Sequence, residues 1–445
     1  MLLIYHRPFS GQDAATVTEH IKAFGKYSQF NLWYVNTAFG FPYFLHRIRF
    51  DVLIFHYSLF GYPYSQYIPK GFLDYPKHYP SAYKIAFFQD EHHFCQARFS
   101  FLNQYRFDCV YTLVDPQYFD LTYKKYTRVK KLIYHIPGYV SEGLMEKALR
   151  FALPEERRTI DVGYRGRHLS PYMGKGAREK YVIGKGFEER TRKFNMVLDI
   201  EVEEHHRLYG DDWYRFLANS KACLGVEAGV SIFDIDDAVR DEYEKRITVN
   251  PNISFEELSD RVLCKREDNI PYRTISPRHF EAAAFRVCQI LFEGKYSGIM
   301  NPMVHYIPLK KDFSNLHEVI RMFNDRHLRQ EITENAYQDL IASGRYSYQR
   351  FIDGFDHELQ RAGLSLDAVH PPAIKISLPA FKDRWKQLRL ILIFLLGRLE
   401  GIIKYGKNRI KYRLANICFK AKGFWIQLLS RTIATVVQRY PKKEK

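Results

Sequence analysis

Short apolar runs recur along the first 312 residues, separated by longer stretches that mix polar and apolar positions. Each run is rich in β-branched and aromatic residues and ends in a polar residue or glycine, as parallel strands buried on both faces do. The segments between the runs are long enough for crossover helices. The runs lie at 2–6, 51–57, 84–90, 109–115 and 131–138, and then at 159–166, 194–200, 221–229, 287–294 and 305–312. This pattern predicts an α/β protein with two domains.

Breaks in this pattern predict the domain limits. The chain turns polar around Leu153-Pro154, which indicates a linker, and residues 232–271 are charged without strand periodicity, which indicates an insertion. His370-Pro371-Pro372 marks a second, stiff linker, because proline continues neither a helix nor an inner strand. The predicted units are an N-terminal domain at 1–152, a second domain at 153–345, a closing helix at 346–369, a proline-rich linker at 370–380 and a tail at 381–445.

Composition places this chain among globular proteins of a reducing compartment. Apolar residues make up 46% of the 445 positions, which excludes disorder as the default. Six cysteines are scattered without a CxxC pair, so neither a disulfide framework nor a zinc site is indicated. The opening segment MLLIYHRPFS lacks the basic start and the long apolar run of a signal peptide, so we expect a cytoplasmic protein.

The basic charge is concentrated in the tail. Residues 381–445 carry 17 Lys and Arg against 3 Asp and Glu, a net charge of +14 out of the +17 of the whole chain. The nearly neutral remainder argues against a nucleic-acid-binding body and for a local anionic partner.

Within the tail, apolar positions recur at alternating steps of four and three, with cations beside them. The uninterrupted apolar run at 390–396 is too short to span a bilayer. An apolar helix face with cationic borders fits a helix lying in an anionic membrane interface. A helix packed on the protein's own body or a homodimer contact is the alternative, and nucleic acid fits less well. The positions of the apolar face are Ile410, Leu414, Ile417, Ala421, Phe424 and Leu428.

The segment 274–298 contains a helix start placed between two predicted strands. Ser276 can cap a helix, and Pro277 suits its first position. Glu281 falls in the first turns, followed by three alanines that allow close packing on a sheet. A helix N-terminus at the carboxyl ends of parallel strands is where α/β domains bind phosphate. The alternative is that Glu281 only complements the helix dipole.

Two further loops follow predicted strands and carry chemically useful side chains. In the segment 161–180, Arg165, Gly166 and Arg167 end a strand, and Lys175 and Lys180 come later; a solvated basic loop is the alternative. In the segment 87–99, Asp90, Glu91, His92 and His93 cluster at a strand end that faces the predicted interdomain cleft. Adjacent side chains point apart, so we expect one histidine of the pair to face the cleft and no metal site. Ordinary polar loop residues are the alternative here.

The segment 274–298 resembles the donor-site motif of GT-B glycosyltransferases, especially the family 4-like enzymes and the bacterial spore-maturation group. The resemblance implies that Glu281 contacts the ribose hydroxyls of a nucleotide sugar and that Ser276 and Arg278 lie near its diphosphate. The sequence departs from the family pattern twice: Arg286 stands where glycine is common, and Arg273 stands eight residues before Glu281, where an acid is common.

The resemblance also assigns roles in the other loops. Glu227 is the candidate for the missing acid, and Gly229 beside it would let the backbone approach a sugar phosphate. The segment 161–180 resembles the first strand and loop of the donor domain, where Arg165, Gly166 and Arg167 with either Lys175 or Lys180 would hold the leaving diphosphate. His92 would orient the acceptor or handle its proton, so that His92 and Glu281 are the candidate catalytic residues.

The implied fold is α/β, with two Rossmann-like domains in a GT-B arrangement facing a cleft, followed by a basic amphipathic helical tail. The implied activity is metal-independent, cofactor-free transfer of a hexosyl group from a nucleotide sugar to an acceptor hydroxyl, with retention of configuration. The tail suggests a lipid-linked or cell-envelope glycan as acceptor, polysaccharide biosynthesis as the setting, and the inner face of the cytoplasmic membrane as the location; nucleic acid is not an expected partner.

Two features of the sequence point elsewhere. The two departures from the motif leave a non-catalytic GT-B-like protein that binds nucleotide sugars or acts as a scaffold as the alternative function. Asp234-Ile235-Asp236-Asp237 is similar to the DxD metal motif of GT-A enzymes. Because it lies in the charged insertion, we interpret it as a solvated loop.

Overall fold

The structure is a computed structural model of the chain. It describes residues 1–7, 15–40, 45, 48–61, 68, 70–251 and 253–365. The predicted linker at 370–380, the tail at 381–445 and the end of the closing helix at 366–369 lie outside the described residues. Within the described part, no helix is long and apolar enough to cross a membrane.

The first domain is built on a parallel sheet of six strands in the order β2-β1-β3-β4-β5-β6. Five of these strands coincide with the predicted apolar runs. The sixth, β2, was missed because the edge strand WYVN is only partly buried and has no long apolar run. The elements are β1 (Leu2–Tyr5), α1 (Ala15–Tyr27), β2 (Trp33–Asn36), β3 (Val52–Phe55), α2 (Lys70–His78), β4 (Tyr83–Phe87), α3 (Cys95–Tyr105), β5 (Cys109–Thr112), α4 (Tyr123–Tyr126), β6 (Lys131–Tyr134) and α5 (Glu142–Phe151).

The second domain has a parallel five-stranded sheet in the order β13-β12-β9-β7-β8, and all five strands coincide with predicted runs. The prediction of an α/β fold with two Rossmann-like domains is therefore confirmed. The elements are β7 (Ile160–Arg165), α6 (Lys175–Thr191), β8 (Leu198–Glu201), α7 (Asp211–Ala218), β9 (Ser220–Gly225), β10 (Ala228–Val230), α8 (Ala238–Val249), α9 (Phe255–Leu258), β11 (Tyr272–Thr274), α10 (Pro277–Ala284), β12 (Cys288–Phe292), β13 (Ile307–Leu309), α11 (Leu316–Asn324) and α12 (Arg326–Tyr337). The last described helix, α13 (Tyr348–Arg361), returns to the first domain and packs on α1 and the first sheet.

The charged insertion projects from a small antiparallel ladder between β10 and β11. The side chain of Asp234 accepts hydrogen bonds from the backbone N–H groups of Val239 (3.1 Å) and Arg240 (2.9 Å), which caps the start of α8. Asp236 forms a two-pronged ion pair with Arg266. The interpretation of this acidic stretch as a solvated loop is wrong for Asp234, which is 1% exposed.

The ladder requires glycine at one position. Gly229 has φ +90°, and a Cβ there would lie 2.0 Å from the carbonyl oxygen of Tyr272 on the paired strand. Gly298 also has a left-handed backbone, with φ +70°, but it has open space around the Cβ position. Both glycines relieve backbone strain, and only Gly229 also avoids a collision with main-chain atoms.

Replacing Gly229 by alanine is expected to destabilise the protein by about 2 kcal/mol more than the same change at Gly298. Both variants suffer the strain of a left-handed alanine, so the difference isolates the clash with β11. Urea denaturation followed by circular dichroism measures both free energies of unfolding. Equal losses in the two variants would mean that the β10–β11 ladder adapts to the added methyl group.

The insertion also ties the second domain to the first. Helix α3 of the first domain begins after Phe94, which supplies no side-chain cap. Asp237 of the insertion accepts hydrogen bonds from the N–H groups of Cys95 (3.2 Å) and Gln96 (3.3 Å) instead. Phe233 and Tyr272 are buried in the same hydrophobic cluster as the core of the first sheet. The two domains are therefore joined by a continuous apolar contact with a helix cap beside it.

Candidate functional site

A cavity of about 230 Å³ opens at the carboxyl ends of β7 and β9, beside the first turn of α10. This is the edge of a parallel sheet at which α/β domains place their ligands. Its walls combine aromatic and aliphatic side chains with several cations. The lining side chains include Arg165, Arg167, Lys180, Arg207, Trp213, Phe216, Leu217, Cys223, Leu224, Val226, Ser276, Arg278, His279 and Gln289.

The start of α10 is organised as the sequence predicts. Ser276 has an extended backbone and its hydroxyl accepts a hydrogen bond from the N–H of Arg278 at 3.4 Å, with Pro277 in the first helical position. The guanidinium of Arg278 lies 4.9 Å from the centre of the Trp213 ring and donates to the carbonyl oxygen of Arg165. Arg278 is thereby held against the cavity wall, where a cation stacked on an indole ring is stabilised.

The two arginines at the end of β7, Arg165 and Arg167, lie in different environments. Arg165 is buried, forms an ion pair with Asp199 at 2.8 Å and lies 4.2 Å over the Phe216 ring. Its charge is therefore already balanced. Arg167 is exposed at the mouth of the cavity. Between them, a Cβ on Gly166 would come within 2.8 Å of the carbonyl oxygen of Lys180, so the close approach of this loop to α6 requires glycine.

The two candidate lysines of α6 lie in different places. Lys175 is exposed at the first position of the helix, and its N–H donates to Glu267 at 2.9 Å. Lys180 lines the cavity, and its ammonium group donates to the carbonyl oxygen of Gly229 at 3.3 Å. Burial lowers the pKa of Lys180 to about 8, and the nearby charges of Arg167 and Arg278 act in the same direction. Only Lys180 of this pair presents its charge to the cavity.

Glu281 stands one side chain back from the cavity. Its Oε2 accepts a hydrogen bond from the indole N–H of Trp213 at 2.8 Å, and the other face of Trp213 lines the cavity. Burial raises the pKa of Glu281, and the carboxylate of Glu19 on α1 of the first domain raises it further. Glu281 therefore lies between this cavity and the first domain.

The first departure from the family motif leaves the backbone unchanged. Arg286 has φ +49°, the left-handed region in which glycine is the usual residue. Its side chain lies 3.5 Å from the centre of the Tyr337 ring and forms an ion pair with Glu334 at 3.0 Å. These contacts with α12 help to offset the strain of an arginine in this conformation.

The second departure changes the local charge. Arg273 forms an ion pair with Glu179 at 2.7 Å, and each side chain is 13% exposed. Glu227, the candidate replacement acid, accepts hydrogen bonds from the backbone N–H groups of Lys295 (3.2 Å) and Tyr296 (2.8 Å). Burial raises the pKa of Glu227. The carboxylate of Glu227 therefore holds the loop after β12. At position 273, where the resembled family carries an acid, this chain carries a cation paired with Glu179.

The first domain contributes the loop after β4. His92 is 4% exposed, and neither of its ring nitrogens has a hydrogen-bond partner among the described residues. Burial holds the pKa of His92 well below its usual range, and the charges of His93, Arg98 and Lys180 act in the same direction. His92 is therefore a neutral imidazole close to Lys180 of the other domain. His93 differs, since its Nδ1 is 3.0 Å from the hydroxyl of Tyr172.

Glu91 in the same loop is structural. Its carboxylate is fully buried and accepts hydrogen bonds from Leu113 N–H (2.7 Å), the hydroxyl groups of Thr112 (2.8 Å) and Tyr272 (3.3 Å), and Tyr123. Tyr272 belongs to the second domain, so this carboxylate joins the two domains beside His92. Burial raises the pKa of Glu91, although the hydrogen bonds from Tyr123, Leu113 and Thr112 and the charge of Arg98 oppose that shift.

Several cavity residues were missed by the sequence reasoning. Arg207 lies in the polar loop after β8, and Trp213 is one aromatic residue of α7 among many. His279 and Gln289 form a buried pair, with Nδ1 and Oε1 2.9 Å apart, although nine residues separate them in the chain. Burial lowers the pKa of His279 to about 4. Arg207 and Trp213 lie outside the motifs, and no spacing within the segment 274–298 singles out His279 and Gln289. The common feature of these four residues is a position at one sheet edge.

Comparisons with family models and with curated proteins give no match. Solved structures of similar shape include an alpha-glucosyltransferase in complex with UDP and a 13-mer DNA, at 11% identity and a TM-score of 0.46, covering 80% of this chain and 98% of that one. Anabaena HepE in complex with UDP is 10% identical, with a TM-score of 0.45 and coverage of 81% and 99%. TarM is 15% identical, with a TM-score of 0.38; the likeness covers 71% of this chain and 56% of TarM.

Proposed function

We propose that this protein is a GT-B glycosyltransferase that transfers a sugar from a nucleotide-sugar donor to an acceptor hydroxyl. The observation that carries the proposal is the convergence of Lys180, Arg167 and Arg278 on one cavity at the carboxyl ends of parallel strands. Departure of a nucleoside diphosphate develops negative charge, and cations held in place beforehand lower that barrier without reorganising.

The remaining roles follow from position. The N–H groups at the start of α10 and the guanidinium of Arg278 would hold the diphosphate, with Ser276 fixing that turn. Glu281, which accepts the indole N–H of the cavity residue Trp213, would accept hydrogen bonds from the ribose at the edge of that ring. His92, a neutral imidazole whose ring nitrogens have no hydrogen-bond partner among the described residues, would orient the acceptor hydroxyl or take its proton from the side of the first domain.

We assign the finer features on sequence resemblance and charge. The transfer would be of the family 4-like or spore-maturation type, retain the anomeric configuration of a hexosyl donor, and proceed without a metal ion. The +14 charge of residues 381–445 suggests a lipid-linked or cell-envelope glycan as acceptor, on the cytoplasmic face of the membrane. These assignments predict production of a polysaccharide precursor at that surface.

A thermal-shift screen against UDP-, GDP-, ADP- and CMP-sugars tests donor binding, because a ligand that binds only the folded state raises its melting temperature. We expect a shift with one base. Incubation of that donor with and without acceptor glycolipids then separates transfer from simple binding. No shift with any donor, at concentrations up to the millimolar range, would refute the proposed function.

The variant Glu281→Ala is expected to bind that donor roughly tenfold to a hundredfold more weakly, because a charged hydrogen-bond acceptor for the ribose is lost. Glu189→Ala, which removes an exposed carboxylate on α6, is the matched control and should bind as the parent does. The readout is the donor's Kd by isothermal titration. If Glu281→Ala keeps the parent affinity, Glu281 does not contact the donor and only supports Trp213.

The affinity for the nucleoside diphosphate is expected to fall as pH rises through the pKa of Lys180, about 8. Below that pH the lysine is charged and can pair with the phosphates; above it, the free protein must take up a proton to bind. Titrations at pH 7 and 9.5 should differ by up to about thirtyfold, and the Lys180→Met variant should lose most of this dependence. A parent profile as flat as that of the variant would contradict the proposed contact.

The same pKa has the opposite sign for stability. The pKa of Lys180 is lower in the folded protein than its ordinary value, so the unfolded chain binds more protons between pH 8 and the ordinary lysine range. The buried charge therefore lowers the free energy of unfolding most below pH 8, and this loss becomes smaller as pH rises. Loss of affinity at high pH is consequently not a result of Lys180 destabilising the fold.

A non-catalytic sugar-nucleotide-binding protein is the second candidate, and the ion pair between Arg273 and Glu179 favours it. At the position where the resembled family carries an acid, this chain carries a cation that is already paired. Such a protein would show the thermal shift and no turnover. Product analysis with the donor that binds discriminates the two functions.

A further inference from the structure

A cationic surface lies on the outer side of the first domain, between β5 and the edge strand β6. We call it the basic face and define it by Leu121, Lys124, Lys125, Arg128 and Lys130, all of them exposed. Leu121 is 52% exposed and lies four positions before Lys125 in the same chain segment. The basic face is far from neutral, whereas the whole chain before residue 381 carries a net charge of only +3.

The backbone beneath these cations is fixed to helix α3. The side-chain amide of Asn103 donates to the carbonyl oxygen of Tyr126 at 2.9 Å, and its oxygen accepts the N–H of Arg128 at 2.9 Å. The ring of Tyr126 is stacked on Phe99 with 5.1 Å between centroids. The backbone that carries these cations is therefore held in place by contacts with α3.

Most of this charge is unbalanced. Lys124 pairs with Asp120 at 2.9 Å, and the neighbouring Lys131 pairs with Glu358 at 3.1 Å. Lys125, Arg128 and Lys130 form no ion pair with any described residue. Three unpaired cations beside one exposed apolar side chain attract an anionic surface that also accepts an apolar contact.

The chain leaves the described body close to this surface. Glu358 belongs to α13, the last described helix, and its ion pair with Lys131 brings the end of α13 to β6, next to the basic face. The sequence from 381 onwards carries 17 basic and 3 acidic residues. The last described helix therefore ends next to the basic face, and the most basic part of the sequence comes after that helix in the chain.

We propose that the basic face docks the folded body onto an anionic lipid surface, with Leu121 entering the headgroup layer. This is a second contact, formed by the body itself and separate from any contact of the tail. A lipid surface fits better than nucleic acid because the basic face presents an exposed leucine, which a headgroup layer accepts. The proposal does not depend on sugar transfer, since vesicle binding is measured without a donor.

The test uses the full chain and sedimentation with vesicles of phosphatidylcholine containing about 30% phosphatidylglycerol. The triple variant Lys125→Glu, Arg128→Glu, Lys130→Glu removes the unpaired cations. Each cation near an anionic leaflet raises partitioning about fivefold, so the triple variant should bind these vesicles roughly a hundredfold more weakly than the parent. A Leu121→Ser variant should weaken binding severalfold without changing its salt dependence.

The matched control is Arg192→Glu, Lys245→Glu, Lys310→Glu, which makes the same change in net charge at exposed, unpaired positions of the second domain. It should retain binding within about threefold of the parent. Equal losses in the two triple variants would overturn the proposal in favour of a general charge effect. Parent-like binding by the basic-face variant would overturn it in favour of the tail alone. Binding of the parent to DNA but not to the vesicles would also overturn it.

Discussion

Replacing Lys180 by methionine is expected to lower kcat/KM for sugar transfer by about a hundredfold to a thousandfold, the usual effect of removing one preorganised charge from a developing anion. The side chain lines the cavity, and its only hydrogen bond within the described residues goes to the carbonyl oxygen of Gly229. Methionine keeps the length and the apolar stem, so the variant removes charge and little else. The measurement is the initial rate with the donor identified by thermal shift.

Lys175→Met is the matched control for this experiment. Both lysines lie on α6, five residues apart, but Lys175 is exposed and outside the cavity, so its loss should change kcat/KM less than twofold. Equal effects of the two substitutions would show that the rate responds to the overall charge of α6 and would remove Lys180 from the site.

Folding provides a second check on Lys180. Because burial lowers the pKa of Lys180, its charge opposes folding at neutral pH, and Lys180→Met should unfold at the same temperature as the parent or at a higher one. A loss of activity accompanied by equal or greater stability cannot result from misfolding. A drop in melting temperature would instead assign Lys180 a structural role.

Replacing Glu91 by alanine is expected to lower the free energy of unfolding by about 3–5 kcal/mol. The side chain is fully buried and accepts hydrogen bonds from four donors, one of which, Tyr272, belongs to the second domain. Alanine would leave these donors without an acceptor and open a cavity between them. Urea denaturation followed by tryptophan fluorescence measures the loss.

Two further variants define what Glu91 contributes. Asp90→Asn, at an exposed neighbour whose left-handed backbone (φ +54°) asparagine also tolerates, should change the free energy of unfolding by less than about 0.5 kcal/mol. Glu91→Gln keeps the shape and one acceptor oxygen, and should recover about half of the loss. If Glu91→Ala were as stable as Asp90→Asn, the four hydrogen bonds would not be holding the two domains together.

Much of the fold could be predicted from the sequence, for a local reason. Ten of the strands coincide with apolar runs, because strands buried on both faces must be apolar at successive positions. Strand β2 was not predicted because Asn31 and Asn36 bound its short apolar stretch. The β10–β11 ladder was not predicted because its two strands of three residues are separated by the charged insertion. Short pairings depend on what the rest of the fold brings opposite them.

Parts of the candidate site could be predicted for the same local reason. The cap at Ser276 and the helix that follows depend on neighbours in sequence, and the structure has them as predicted. Which lysine of α6 faces the cavity could not be decided, because Lys175 and Lys180 are equally basic on paper. Their difference comes from the turn of the helix relative to β7 and Gly229, which only packing sets.

The two departures from the family motif involve contacts that cannot be predicted from neighbouring residues in the sequence. Arg286 stands where glycine is common in the resembled family, and contacts with α12 hold its backbone in the left-handed conformation. Arg273 suggested a missing acid, and its partner Glu179 lies 94 positions away. The sequence spacing of these two residues does not predict their ion pair, since they meet only when β11 packs against α6.

The sequence by itself determined the strands, the two-domain α/β class and the cap of α10, because hydrophobic periodicity and helix capping act between near neighbours. Tertiary structure alone decided that Lys180 and not Lys175 reaches the cavity. It also decided that the indole N–H of Trp213 donates to Glu281, and that Asp237 of the insertion caps a helix of the other domain. These contacts join residues far apart in the chain, and their geometry exists only after both sheets have packed against each other.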